Sequence, residues 1–212
     1  LFAVVSSGNS GLQPRAGCLK RRFDQLLDII ESIIGQEILA HPQFNIRTKL
    51  PDQEETVIPW HQDLAFLNSP DTGQTLLVNL WIPLVKATAE NGCKQMMRST
   101  HRPQLLRHDL RVPIPGGKSM VGILDADLPD AEIVTGEVSV GDVLLATERV
   151  IHRSLPNKSN TIRWSVDTRS SAVGLPTGRD DVPGFIARSR QNPQSIAKSH
   201  HDWNRLFESQ KS

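Results

Sequence analysis

The stretch 140-VGDVLLATERVIHRSLPNKSNTIRWSVDTR-169 decides how this chain is read. A Gly141-Asp142 turn leads into 142-DVLLAT-147, an apolar run of strand length. His152 follows, with Ser154 two positions on and Arg163 eleven positions on. In 161-TIRWSVDTR-169 the alternation puts Ile162, Trp164 and Val166 on one face. Arg163, Ser165, Asp167 and Arg169 occupy the other. An inward-facing arginine needs an anion, because a buried guanidinium without one is costly. Its fork fits a carboxylate with two parallel hydrogen bonds. The anion is either a bound acid or an ion-pair partner, Asp167 or Asp142.

Far upstream, 59-PWHQDLAF-66 carries His61 and Asp63 two residues apart. In a strand such positions point the same way, so both side chains can face one cavity. An imidazole and a carboxylate are two of the three groups of a two-His-one-carboxylate facial triad, which holds a metal on one face and leaves the other open. The pair alone is weak, since a surface or capping pair looks the same. His152 supplies a third ligand. Gln62 alternates away from the pair and reaches a substrate only through a bulge. Arg47 and Lys49 alternate together ahead of it, as solvated charges or substrate anchors.

The remaining chain reads as mainly β. Strand-like segments are 44-FNIRTKL-50, 56-TVIPWHQD-63, 75-TLLVNLWIPLV-85 and 132-EIVTGEVSV-140. Asn79 and Trp81 share a face of the third. Segment 86-KATAENGCKQMMRSTHRP-103 breaks the pattern, as a loop reaching over a site would. Pro/Gly loops are expected at 113-PIPGGKS-119 and 174-GLPTGRDDVPG-184. Phe23, Leu27, Ile30 and Ile34 predict an amphipathic helix over Arg21–Leu39. Trp203, Leu206 and Phe207 mark a short terminal helix. Residues 1–20 read as irregular and 21–212 as one domain, a β-sandwich or barrel flanked by helices. Trp60 and Trp164 are expected in the core, and His101, His108 and the pair His200-His201 at the surface.

Bulk properties exclude several partners. The 212 residues hold 24 Lys+Arg against 23 Asp+Glu, a formal charge of +1, so nothing draws the chain to nucleic acid or an anionic membrane. No apolar run approaches the ~20 residues that cross a bilayer. Cys18 and Cys93 form no metal or disulfide pattern, which suits a reducing, cytoplasmic setting. Arg15, Lys20, Arg21 and Arg22 without an acid leave an organellar address as the alternative. Asn157-Lys158-Ser159 matches the glycosylation triplet by chance.

These motifs resemble the phytanoyl-CoA dioxygenase family of Fe(II)/2-oxoglutarate oxygenases. The likeness lies in WHQD, in the NLWIPL strand with its ENG turn and STHR, and in GD…IHRSLPN…RWSVDTR, from about Phe44 to Pro183. It implies a double-stranded β-helix (jelly roll). His61, Asp63 and His152 become the catalytic iron ligands by implication. Arg163 becomes the partner of the far carboxylate of 2-oxoglutarate, helped by Ser154, with Asn79 and Trp81 lining the same pocket. The co-substrates implied are 2-oxoglutarate and O2, and the partner is a small organic substrate. Relatives that halogenate replace the carboxylate ligand with a small residue, so Asp63 favours hydroxylation. The chain departs from the family's pattern at Glu148 and at 169-RSS-171. Two rival readings use the same ligands: a metal-binding jelly roll without turnover, and a zinc hydrolase.

Overall fold

Gly35 ends the first helix, α1 (Ala16–Ile34), by taking a left-handed φ of 94°. Its N–H closes the last turn on Glu31 O at 2.9 Å. The helix expected to reach Leu39 therefore stops early, and Ile38–Ala40 become a strand. Phe23, placed on the apolar face by its spacing, is instead 68% exposed.

The computed structural model describes residues 2–6, 16–67, 76–102, 105–179 and 181–209, with side chains in α1 from residue 23 onward. Arg15 and Asp180, and the side chains of Cys18, Lys20, Arg21 and Arg22, lie outside the described residues. In chain order the strands and α-helices are β1 (Phe2–Val5), α1, β2 (Ile38–Ala40), β3 (Asn45–Lys49), β4 (Val78–Pro83), β5 (Lys94–Met97) and β6 (Asp109–Ile114). They continue with β7 (Lys118–Gly122), β8 (Ile133–Gly136), β9 (Val143–Thr147), β10 (His152–Ser154), β11 (Arg163–Ala172), β12 (Phe185–Arg188) and α2 (His200–Ser209).

The described chain forms two compact units. The first holds residues 1–6, 45–66 and 79–167. Its larger sheet runs β1-β9-β4-β11, with β3 pairing antiparallel along the start of β11. A smaller sheet runs β10-β5-β8, and β6 and β7 form a hairpin. Trp81, Cys93, Met96, Leu144 and Val150 pack as one buried cluster between strands of both sheets. Alternation sends Met97 and Ile151 the other way, to a second cluster with Trp60 and Ile123. Burying each such side chain contributes about 1.5–3 kcal/mol at most. This mainly β, antiparallel architecture is the expected jelly roll.

Three expectations change here. Residues 2–5, read as irregular, form β1 and pair with Val143–Ala146 of β9. The expected loop 86–103 contains β5, whose Met96 pairs with His152 and whose other edge joins β8. The strand expected over 56–63 does not form. Pro59 has no N–H to give a ladder, and only an isolated bridge at His61 remains, followed by a 3-10 turn over Asp63–Phe66.

The second unit holds 7–44, 67–78 and 168–212. There β2 pairs with Ser170–Ala172 of β11 on one side and with β12 on the other. Arg188 ties β12 to α1 through Asp28 at 2.6 Å and Glu31 at 2.7 Å. The terminal helix forms as expected. Trp203 packs against Phe185 and donates to Pro183 O at 2.7 Å. Both His200 and His201 are exposed. No helix among the described residues is long and apolar enough to cross a membrane.

Candidate metal centre and its adjoining cavity

Backbone pairing brings the two distant histidines together. The N–H of His61 donates to His152 O, and that of His152 to His61 O, both at 3.0 Å. Their rings then lie side by side with centroids 4.2 Å apart. Asp63, at the start of its 3-10 turn, turns its carboxylate to the same point. One ligand atom from each of His61, Asp63 and His152 lies within 4.8 Å of the others.

The imidazole tautomers are fixed by their neighbours. His61 Nδ1 lies 2.8 Å from Pro59 O and His152 Nδ1 lies 3.0 Å from Val150 O. A carbonyl only accepts, so each Nδ1 carries the proton and each Nε2 presents its lone pair. Those Nε2 atoms stand 3.8 Å and 4.0 Å from the two Asp63 oxygens. Burial pushes the His61 pKa down, against the pull of Asp63. Burial and then the neighbouring His61 push that of His152 well down. Both rings are thus kept neutral, the state a metal ligand needs. Two neutral nitrogens and a carboxylate suit a divalent transition metal such as Fe(II), and suit Zn(II) as well.

Beside this cluster is a small space of about 20 Å³ bordered by Asp63, Asn79, Trp81, Lys94, Met96 and His152. Trp81 and Lys94 also border a cavity of about 270 Å³ lined by Arg47, Lys49, Ser154 and Arg163. Arg163 is 4% exposed. Its Nη1 donates to Ser165 Oγ at 2.7 Å and its Nη2 to Gly92 O at 3.1 Å. Its Nε is buried without a hydrogen-bond partner. Burial works against its charge. Asp167, one of the two ion-pair partners considered for Arg163, is held by Arg47 at 3.1 Å and Lys94 at 3.8 Å instead.

The other expected residues fall into place around these. Ser154 Oγ accepts from Ile58 N at 3.0 Å and from Lys49 Nζ at 2.9 Å, at the cavity wall. Asn79, expected against the co-substrate, donates to Asp63 Oδ2 at 2.5 Å. Gln62 was expected to reach a substrate only through a bulge. It is fully buried, its Nε2 donates to Arg149 O and its Oε1 accepts from Leu106 N, both at 2.8 Å. His108, expected at the surface, accepts from the Gln62 N–H at 3.0 Å. Trp60 is buried as expected, whereas Trp164 is 40% exposed because β11 turns its polar face inward. Asn157 is buried and donates to Lys49 O and Thr161 O, a structural role for that triplet. Glu148 is also buried, 3.2 Å from Arg149. Lys94 was not singled out by the sequence. The signal was there in 93-CKQMM-97, where Lys94 and Met96 alternate toward the cluster.

Fold and cluster together define a jelly roll with a facial His/Asp/His set. The family described as phytanoyl-CoA dioxygenase (PhyH) matches residues 14–165, and the chain belongs to that family. It is 29% identical over 163 residues to 1-deoxypentalenic acid 11-beta-hydroxylase of Streptomyces arenae, covering 70% of this chain and 56% of that one. It is 30% identical over 145 residues to the peroxisomal phytanoyl-CoA dioxygenase of Rattus norvegicus, covering 67% and 42%. The chain thus spans about half the length of these curated relatives. Among solved structures, the apo non-heme monooxygenase ThoJ superposes with a TM-score of 0.63 at 18% identity, covering 88% of this chain and 69% of that one. The carbocyclase SnoK from nogalamycin biosynthesis, described as non-heme and alpha-ketoglutarate-dependent, gives 0.55 at 16% identity, covering 91% and 68%. These likenesses show the fold.

Proposed function

We propose that the protein is an Fe(II)/2-oxoglutarate-dependent dioxygenase that hydroxylates a small organic substrate, releasing succinate and CO2. The observation that carries this is Arg163: a buried guanidinium with only neutral partners, facing a cavity that shares two walls with the His61/Asp63/His152 cluster. A diacid spanning a metal and an arginine would account for that arrangement, and 2-oxoglutarate is such a diacid. Membership of the family supports the same reading.

In this reading His61 Nε2, His152 Nε2 and the Asp63 carboxylate hold Fe(II). Fe(II) held there would supply the oxidising power for C–H hydroxylation, with the keto acid and O2 consumed and one oxygen atom of O2 ending in the product and the other in succinate. The chain's own residues position and exclude. Pro59 O and Val150 O fix the two imidazole tautomers. Asn79 orients Asp63. Arg163, helped by Ser154, takes the far carboxylate, while Trp81 and Lys94 border both the space at the cluster and the cavity. Arg47, 47% exposed in its side chain and paired with Asp167, and Lys49, buried in the same cavity, remain candidates for a substrate contact. Residues 21–212 act as one oxygenase domain in this proposal.

A zinc hydrolase on the same ligands, or a jelly roll that keeps a metal without turnover, gives Arg163 no anion to meet. Anaerobic titration with Fe(II) and then 2-oxoglutarate decides among them. The oxygenase shows the weak visible charge-transfer band of the chelate and, on admitting O2, forms succinate. Metal binding with no band at any 2-oxoglutarate concentration refutes it.

A further inference from the structure

Lys49 is a second buried basic side chain in the cavity. It is 3% exposed, and the β3–β11 register sets it directly opposite Arg163. Like charges so placed repel, and burial sharpens the repulsion. Lys49 Nζ donates to Ser154 Oγ at 2.9 Å and Leu155 O at 2.5 Å, both neutral. An ammonium has three donors, so one is left over. The nearby acids are engaged elsewhere: Asp167 with Arg47 and Lys94, and Glu55 with Lys118 at 3.9 Å.

One turn holds both cations in place. Gly92, at a left-handed φ of 87°, accepts from Arg163 Nη2 at 3.1 Å through its carbonyl. The stem of Lys49 lies across the same residue, where an added Cβ would come within 2.4 Å of Lys49 Cδ. Two basic side chains held side by side and hydrogen-bonded only to neutral groups are an arrangement that makes sense once an anion sits between them.

We propose that Lys49 shares the far carboxylate of the keto-acid co-substrate with Arg163, and thereby selects a dicarboxylic 2-oxo acid over a monocarboxylic one. The proposal rests on the 2-oxoglutarate reading given above. A carboxylate has two oxygens and about four lone-pair directions, enough for a guanidinium fork and one ammonium donor. Its arrival turns the repulsion between Lys49 and Arg163 into two attractions to one group. A keto acid ending in a methyl group leaves both cations as they were.

The test compares 2-oxoglutarate with 2-oxovalerate, which has the same carbon count and no far carboxylate. Both are titrated anaerobically into the Fe(II)-loaded protein and followed by the charge-transfer band and by calorimetry. Lys49→Met keeps the stem over Gly92 and removes the charge; Lys49→Gln repeats the comparison with a polar, uncharged end. In both variants 2-oxoglutarate binding weakens by about 10- to 100-fold, as for a lost charge-assisted bond. Binding of 2-oxovalerate stays within about twofold, and Fe(II) affinity is unchanged. Unchanged 2-oxoglutarate affinity, or equal weakening of both acids, overturns the assignment of Lys49 alone. Wild-type protein that binds Fe(II) but neither acid overturns the oxygenase reading along with it.

Discussion

Asn79 Nδ2 donates to Asp63 Oδ2 at 2.5 Å, so the amide of a β4 residue sets the angle of a carboxylate that lies in an upstream turn. Partners of this kind hold a ligand ready before the metal arrives, and losing one typically costs 10–100-fold in metal affinity, roughly. Asn79→Ala is therefore expected to weaken Fe(II) binding by about that factor. His152→Ala, which removes a ligand itself, abolishes the chelate band and succinate formation. Calorimetric metal titration checks both, and succinate formed at the wild-type rate by His152→Ala refutes the ligand set.

Arg163→Met removes the fork and leaves Lys49 alone with the far carboxylate. Truncating one partner of a buried charge pair costs about 2–5 kcal/mol. The apparent affinity for 2-oxoglutarate falls accordingly, while metal affinity and the band at saturating co-substrate persist. Loss of the band even at saturation would mean that Arg163 supports the metal cluster itself.

Gly92→Ala puts a Cβ 2.4 Å from Lys49 Cδ and 2.7 Å from Leu155 O, at a φ of 87° that side chains avoid. The backbone alone costs about 1–3 kcal/mol. The variant should unfold at lower denaturant and bind 2-oxoglutarate more weakly, since both cations lean on this turn. Unchanged stability in urea would show that the turn relaxes freely.

With Lys49 on the far carboxylate, as proposed, co-substrate binding depends on pH. Burial, then the adjacent Arg163, push its pKa down to about 7. Around it stand Arg163 and Asp167 on β11, Lys94 on β5, Arg47 on its own strand, Glu55 before the His61 bridge, and Cys93, whose thiol burial pushes up to about 11. A bound carboxylate raises the Lys49 pKa, so binding above neutral pH takes up a proton. Affinity is then greatest below about pH 7 and falls by up to ~10-fold per pH unit above it. Calorimetry at pH 8 in buffers of differing ionisation heat should detect this uptake in wild type and lose it in Lys49→Met; equal uptake in both would contradict it.

His41 sets a pH limit on folding. Its Nδ1 accepts from the Gln43 N–H at 3.1 Å, so the proton sits on Nε2 and donates to Thr177 O at 2.7 Å. Burial, opposed by the Thr177 carbonyl and aided by Arg169 and Arg179, lowers its pKa below the ordinary 6.5. On acidification the unfolded chain therefore takes this proton first. The stability contributed is full above about pH 6.5 and is lost as pH falls through the folded-state value. Urea unfolding at pH 7.5 and pH 5.5 should show a smaller acid loss in His41→Asn than in wild type. An identical loss would remove His41 from the account.

The sequence by itself marked the candidate ligands and much of the β content. His61, Asp63, His152 and Arg163 are readable because their residue types and order suit a metal and a diacid, and period-two alternation correctly put Arg163 and Ser165 on one face. It also carried the family, through WHQD, NLWIPL and IHRSLPN…RWSVDTR. What only the tertiary structure decided is which partners each side chain has. The HxD pair does not sit on a strand at all; a bridge between two residues far apart in the chain brings His61 beside His152. The β5 strand was hidden in an apparent loop, because Gly92 and the polar residues around it mask its short alternation. The pairing of Lys49 with Arg163 depends on strand register, which comes from the β3–β11 ladder. Local pattern fixes where a side chain points, but the hydrogen-bonded ladders between distant segments fix what it meets.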